Sequence, residues 1–171
     1  MPHMTIRTPA AGELTALQDI ELASGRAFAD IGMQAIADDP PPTLTTFAAY
    51  RDAGHAWVAT DGHDHPIAFI LAELVDGDAH IAQVSVHPDH AHHGIGAALI
   101  EHVAAWARSR GLPALTLTTF TDVPWNGPYY TRLGFRPIPD ADLAPELRAI
   151  REDEAGRGLD AWPRTAMIRP L

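Results

Sequence analysis

The sequence predicts an α+β fold with a mixed β-sheet, and three observations predict it. Short apolar runs separated by tight-turn signals occupy residues 56–86. A long amphipathic helical pattern follows them, and a further apolar run follows that helix. The first group reads as an antiparallel meander. The strand–helix–strand unit reads as a parallel, right-handed crossover.

Each element has its own signal. Thr5-Ile6-Arg7 is a short strand. A helix is expected from about Gly12 to Phe28, with Leu14, Leu17, Ile20, Leu22 and Phe28 as a rough apolar stripe. Asp38-Asp39-Pro40-Pro41-Pro42 breaks the chain, because proline lacks an N–H and restricts the residue before it. Thr43 is a candidate cap for a short helix reaching Tyr50. Strands are expected at Ala56–Thr60, Pro66–Leu74 and Ala79–Val86, with turns at Asp61-Gly62 and Asp76-Gly77. His87–His93 is a polar loop. Gly94–Arg110 is a helix with Ile95, Leu99, Val103 and Trp106 on one side, stopped by Gly111. Ala114–Phe120 is a strand, Pro128–Leu133 a short helix, Pro145–Gly156 a further helix and Arg164–Ile168 a last strand.

The totals bound the function. The chain has 171 residues and is 46% hydrophobic, enough for a real core. One domain spanning 1–171 is expected, with its core at about 4–136 and a C-terminal helix and strand in 137–171. No apolar run approaches the ~18 residues of a membrane span. Met1-Pro2-His3-Met4 lacks the basic-then-apolar pattern of a signal peptide, and Met4 is a second candidate start. Cysteine is absent, which excludes disulfides, Cys-ligated zinc and a thiol nucleophile. A cytoplasmic location is the expectation. The formal net charge of −10 argues against a nucleic-acid partner. It suits either steering of a cationic substrate or solubility alone.

The strongest chemical signal runs from Val84 to Leu99. A buried strand enters a loop, and the loop enters a helix at Gly94-Ile95-Gly96-Ala97-Ala98. A first helical turn has unpaired N–H groups and the positive end of the helix dipole. The glycines remove side chains, so a diphosphate can approach the backbone. Gly94-x-Gly96-x-x-Leu99 lacks the third glycine of a dinucleotide fingerprint and has no Walker Lys-Ser/Thr, which disfavours a dinucleotide oxidoreductase and a P-loop.

This segment resembles the coenzyme A motif of the GNAT (GCN5-related N-acetyltransferase) superfamily, with Ala91 where the family has Gln or Arg. The resemblance implies a GNAT-like mixed, splayed central sheet flanked by helices, and acetyl-CoA as co-substrate. It implies that the backbone of Val84, Ser85 and Val86 holds the pantetheine and the thioester oxygen. It also implies that His92, His93, Gly94, Ile95, Gly96, Ala97 and Ala98 surround the phosphates. A backbone N–H aimed at the thioester carbonyl would stabilise the charge that develops there.

Trp125-Asn126-Gly127-Pro128-Tyr129-Tyr130-Thr131-Arg132-Leu133-Gly134-Phe135 resembles the family segment ending in Tyr-x-x-Leu-Gly-Phe. The resemblance gives Tyr130 the role of acid toward the departing thiolate; a buried core phenol is its other reading. The family's Asn falls earlier, where this chain has Val123. Asn126 therefore either hydrogen-bonds coenzyme A or caps the helix. Tyr129 is a packing or pocket-wall residue.

Direct attack by an amine needs a proton acceptor. Many similar chains carry Glu on the strand before the loop; here Gln83 stands nearby and orients a water or the acceptor, or is simply a satisfied polar residue. The candidate bases are Asp122, which ranks first, and Glu73, His80, His87 and Glu21. Glu21, Ser24, Gly25 and Phe28 share a helical face. In the family that region walls the acceptor site, so Glu21 and Phe28 are substrate-side candidates, with Phe28 equally a core residue. His87, His90, His92 and His93 lack the spacing of a metal site, and no metal is expected. The acceptor is a small-molecule or peptide amine. A non-catalytic acyl-CoA sensor remains the alternative. The apolar stretch Met167–Leu171 would reach a partner chain in a homodimer.

Overall fold

The structure is a computed structural model that describes residues 4–171; the reading of Met1–His3 lies outside them. Its first strand, β1, is Thr5–Arg7. The Arg7 guanidinium forks onto Glu13, with Nη1–Oε1 at 2.8 Å and Nη2–Oε2 at 2.9 Å. Glu13 also accepts the Ala10 N–H at 2.7 Å. This clasp turns the chain from β1 into α1, Leu14–Gly25.

The helix expected through Phe28 stops earlier. From Arg26 to Ile31 the chain tightens into a 3₁₀ segment, which Gly32 ends at φ 77°. Phe28 therefore sits in the 3₁₀ segment and not in α1. Leu14, Leu17, Ile20 and Ala23 form the buried side of α1, whereas Leu22 is exposed. A one-turn helix, α2 (Gln34–Ala37), was not expected. α3 is Leu44–Asp52, and Thr43 caps it by accepting the Thr46 N–H at 3.1 Å.

The strands match expectation within a residue or two: β2 is Ala56–Thr60, β3 Pro66–Val75 and β4 Asp78–Val86. Then come α4 (Ile95–Ser109) and β5 (Ala114–Phe120), with Gly111 at φ 70° between them. α5 (Gly127–Arg132) precedes β6 (Arg136–Ile138), a strand the sequence did not announce. α6 is Pro145–Gly156 and β7 Arg164–Pro170.

Among the described residues one sheet has the order β1-β2-β3-β4-β5-β7-β6. It is mixed, as expected: β1–β2, β2–β3, β5–β7 and β6–β7 are antiparallel, and β4–β5 is parallel. The parallel ladder pairs Ala79 with Leu115 and His80 with Thr116.

Two compact units divide the chain. One runs to Ala72 and includes Gln83–His102. Its core holds Leu17, Phe47, Val58, Phe69 and Leu71, and the Phe47 and Phe69 rings meet edge to face at 5.4 Å. The other comprises Glu73–Ala82 and Val103–Leu171. Val75, Leu143, Leu147 and Ala166 form an apolar cluster there. Its helix α6 starts without a side-chain cap of its own. Asp76, in the turn between β3 and β4, supplies one: its carboxylate accepts the N–H groups of Glu146 and Leu147, each at 2.9 Å. Glu146 returns the bond to the Asp76 N–H at 2.7 Å. The stretch Met167–Leu171, named as one that could reach a partner chain, is largely inner strand: β7 pairs with β5 on one side and β6 on the other, and Met167 is buried.

Phe47 is wholly buried against Phe69. Phe47→Ala should cost about 3–5 kcal/mol of stability, because truncation removes apolar contact and leaves a cavity. The shift of the denaturation midpoint measures it.

Candidate active site

The end of β4, the loop after it and the start of α4 lie in one unit. Ser85 is buried, with Val84 and Val86 half-buried beside it. The loop is tied down at its first residue: the His87 N–H donates to Ile67 O at 2.9 Å, and His87 Nδ1 accepts the Asp89 N–H at 3.1 Å. Pro88–His90 makes one 3₁₀ turn. The backbone then passes through positive φ at His92 (64°) and Gly94 (75°). His92, His93 and Gly94 are exposed, Ile95 is buried, and Gly96, Ala97 and Ala98 are half-buried. The first helical bond runs from the Ala98 N–H to Gly94 O, at 3.0 Å. The N–H groups of Ile95, Gly96 and Ala97 thus have no partner within the helix. That is a positive, side-chain-poor turn suited to an anion.

In the same unit α1 brings Glu21 onto β4. Ser85 Oγ donates to Glu21 Oε2, and the Gln83 side chain also hydrogen-bonds this carboxylate. Burial pushes the Glu21 carboxyl above its ordinary range, with Asp39 adding to the rise; the bonds from Ser85 and Gln83 oppose it. Sequence reading had named Glu21, Gln83 and Ser85 for separate roles, and the fold joins them. Ser24 Oγ instead bonds its own helix, to Glu21 O at 3.1 Å. Phe28 is half-buried in the 3₁₀ segment.

The other unit carries Asp122, Asn126, Tyr129 and Tyr130. Asp122 is exposed in the turn after β5. Asn126 occupies the residue before α5, and its carbonyl accepts the Tyr130 N–H at 2.9 Å. Its side chain does not cap the helix: Nδ2 turns back to Trp125 O at 3.0 Å. The capping alternative therefore falls. Tyr130 is buried between Tyr129 and Phe135, with ring centroids at 5.4 and 5.9 Å. Burial raises its phenol well above the ordinary value, and Tyr129 raises it further. Sequence reading missed Gly127. A Cβ there would sit 2.5 Å from Thr121 O, so only glycine lets α5 start so close to the end of β5.

Two buried polar groups back this unit. His80 bonds Thr116 through Nδ1 and Oγ1 at 2.9 Å, and burial lowers its imidazole to about 4. Glu154 accepts from Thr118 Oγ1 (2.6 Å), Arg151 Nη1 (2.9 Å) and Arg164 Nη2 (3.1 Å), locking α6 to β5 and β7. A cavity of about 460 Å³ opens elsewhere in this unit, lined by Asp76, Asp78, Arg136, Ile138 and Leu147 among others. None of the residues expected to form the site lines it. Among the described residues no helix is long and apolar enough to cross a membrane, and no group of three or more His, Asp or Glu is arranged to hold a metal.

Gly127→Ala should destabilise the protein by about 1–3 kcal/mol through overpacking against backbone, read from its melting temperature. His80 makes a second, pH-dependent prediction. Its folded pKa lies below the unfolded value, so its contribution is intact above pH ~6.5 and is lost as pH falls toward about 4. Up to about 3 kcal/mol separates the two limits. The stability difference between the parent and His80→Asn, followed by denaturant titration at several pH values, should shrink across that window.

The backbone resembles known structures along nearly its whole length. The PaiA N-acetyltransferase of Thermoplasma acidophilum, solved with coenzyme A, is 14% identical, with 99% of each chain covered and a TM-score of 0.73. A GNAT-family acetyltransferase from Staphylococcus aureus is 16% identical, with 99% of each chain covered and a TM-score of 0.75. The ribosomal-protein-S18-alanine N-acetyltransferase of Escherichia coli is 19% identical over 99% of this chain and 94% of that one, with a TM-score of 0.68. The model of the acetyltransferase (GNAT) family matches residues 17–135. The strand–loop–helix turn and the Tyr130 segment both fall inside that match, and the chain belongs to the acetyltransferase (GNAT) family as an acyl-CoA-dependent N-acetyltransferase.

Proposed function

We propose that this enzyme transfers acetyl from acetyl-coenzyme A to an amine by direct attack on the thioester. The observation that carries this reading is the start of α4, where the N–H groups of Ile95, Gly96 and Ala97 follow two positive-φ residues, His92 and Gly94, in the loop after β4. In this reading those amides, with Gly94, Ala98, His92 and His93, hold the diphosphate of coenzyme A. The backbone of Val84, Ser85 and Val86 takes the pantetheine and the thioester oxygen, with an N–H stabilising the developing oxyanion. Asn126 and Tyr129 contact the coenzyme, and Phe28 walls the acceptor side.

Tyr130 meets the leaving sulfur as a donor. Its raised phenol stays protonated across the working pH range, so an O–H faces the thiolate as the C–S bond breaks. Direct transfer uses no covalent enzyme intermediate and calls for no metal. We assign the whole of residues 1–171 to one functional domain working in the cytoplasm. The net charge of −10 favours a cationic small molecule or peptide as acceptor and disfavours nucleic acid.

Tyr130→Phe should lower kcat by roughly 100-fold, within the range of a lost acid catalyst, with little change in acetyl-CoA affinity by calorimetry. An unchanged kcat would remove Tyr130 from the mechanism. Gly96→Glu should weaken coenzyme A binding by about 100-fold or more, since it sets bulk and negative charge against the diphosphate. Normal affinity in a folded Gly96→Glu protein would contradict the diphosphate assignment.

A further inference from the structure

The proposed reaction lacks a base, and the strand position where many similar chains carry a carboxylate holds Gln83, which cannot take a proton. We infer that Glu21 of α1 is the proton acceptor for the incoming ammonium, held against β4 by the Ser85 hydroxyl and the Gln83 amide. This deepens the proposed function and rests on it.

Three observations support the assignment. First, Glu21 reaches the very stretch of β4 that the proposed function sets beside the thioester: Ser85 Oγ donates to its Oε2. Secondly, the carboxylate is half-buried yet makes no ion pair with an Arg among the described residues; its partners are a hydroxyl and an amide. Glu154, the buried carboxylate among the described residues, is instead tied to Arg151 and Arg164 and so is held as a structural anion. A carboxylate held by neutral donors keeps lone pairs for a proton. Thirdly, burial raises the proton affinity of the Glu21 carboxyl, against the opposing bonds from Ser85 and Gln83. The charged neighbour that acts on it is Asp39, a like charge, and burial acts in the same direction. A base whose affinity for protons is raised toward the working pH is the more effective one.

The step balances. The acceptor arrives as an ammonium, and Glu21 takes one N–H proton. The freed lone pair forms the N–C bond at the thioester carbonyl, and the C–S bond breaks as the tetrahedral state collapses. The sulfur leaves as the thiol of coenzyme A with the proton of Tyr130. The second amine proton and the proton on Glu21 pass to solvent, from which Tyr130 recovers its own. The substrate class is thus a primary amine that is charged at neutral pH.

The test compares two nucleophiles in the parent enzyme and in Glu21→Gln. Both are assayed by thiol release from acetyl-CoA, with coenzyme A binding measured in parallel by calorimetry. One nucleophile class is a panel of primary alkylamines and a peptide with a free N-terminus, all ammonium ions at pH 7. The other is hydroxylamine, already neutral there. Glu21→Gln should bind coenzyme A normally, lose about 100-fold or more of kcat with the ammonium substrates, and lose the acid limb of the pH–rate profile. It should keep most of its rate with hydroxylamine, which needs no base. Ser85→Ala should shift that acid limb while retaining measurable turnover. Equal losses with both nucleophiles, or an unaltered acid limb, would overturn the base assignment and leave the acetyl-CoA site standing. Loss of coenzyme A binding in Glu21→Gln would also overturn it, since the carboxylate would then be supporting β4. A parent enzyme that binds no coenzyme A would instead defeat the proposed function itself.

Discussion

An α-helix cannot satisfy the N–H groups of its own first turn, and in this chain that constraint falls at Ile95, Gly96 and Ala97. The surrounding sequence is arranged so that no side chain fills the gap. The residue before the helix is a glycine, and two of the next three are glycine or alanine. His92 and Gly94 take positive φ, and the His92 and His93 side chains are exposed. For His92 this conformation costs about 1 kcal/mol or more, a strain that such loops hold at functional sites. An anion binding there meets N–H groups and the positive end of the helix dipole together.

Burial dominates the titration of three side chains. Removal from water moves Glu21 and Tyr130 in the same direction, each toward its protonated form. For a carboxyl that makes a better base, and for a phenol it secures a donor. His80 moves the other way because its charged form is the protonated one, and neither Glu154 nor Asp76 outweighs the burial. A neutral, hydrogen-bonded His80 is a poor candidate base, although its position on β4 had made it one.

The unit carrying Tyr130 is fastened by polar contacts between residues far apart in sequence. Asp76 and Glu146 exchange bonds that begin α6, and Glu154 holds its other end to β5 and β7. Around Glu154, removing Arg151 or Arg164 would leave a buried charge less compensated, so those three act as a set.

Local physics made much of this legible in the sequence. Period-2 and helical patterns set out β1–β5, α3, α4, α6 and β7 nearly to the residue, because backbone pairing and side-chain alternation act over a few positions. The turn before α4 was equally local: glycines at a strand-to-helix junction imply exposed amides whatever the rest of the chain does. β6, Arg136–Ile138, was missed because Pro137 stands at its centre, and proline argues against a strand. The helix through Phe28 was overextended because α and 3₁₀ turns share the same residue types. What only tertiary structure decided were the meetings across long separations, Glu21 with Ser85, Asp76 with Glu146 and His80 with Thr116, and the close approach of Gly127 to Thr121. The reason is physical. A carboxyl's proton affinity, a helix's borrowed cap and the room for a Cβ depend on which distant groups exclude water around them, and the amino-acid order alone does not specify that.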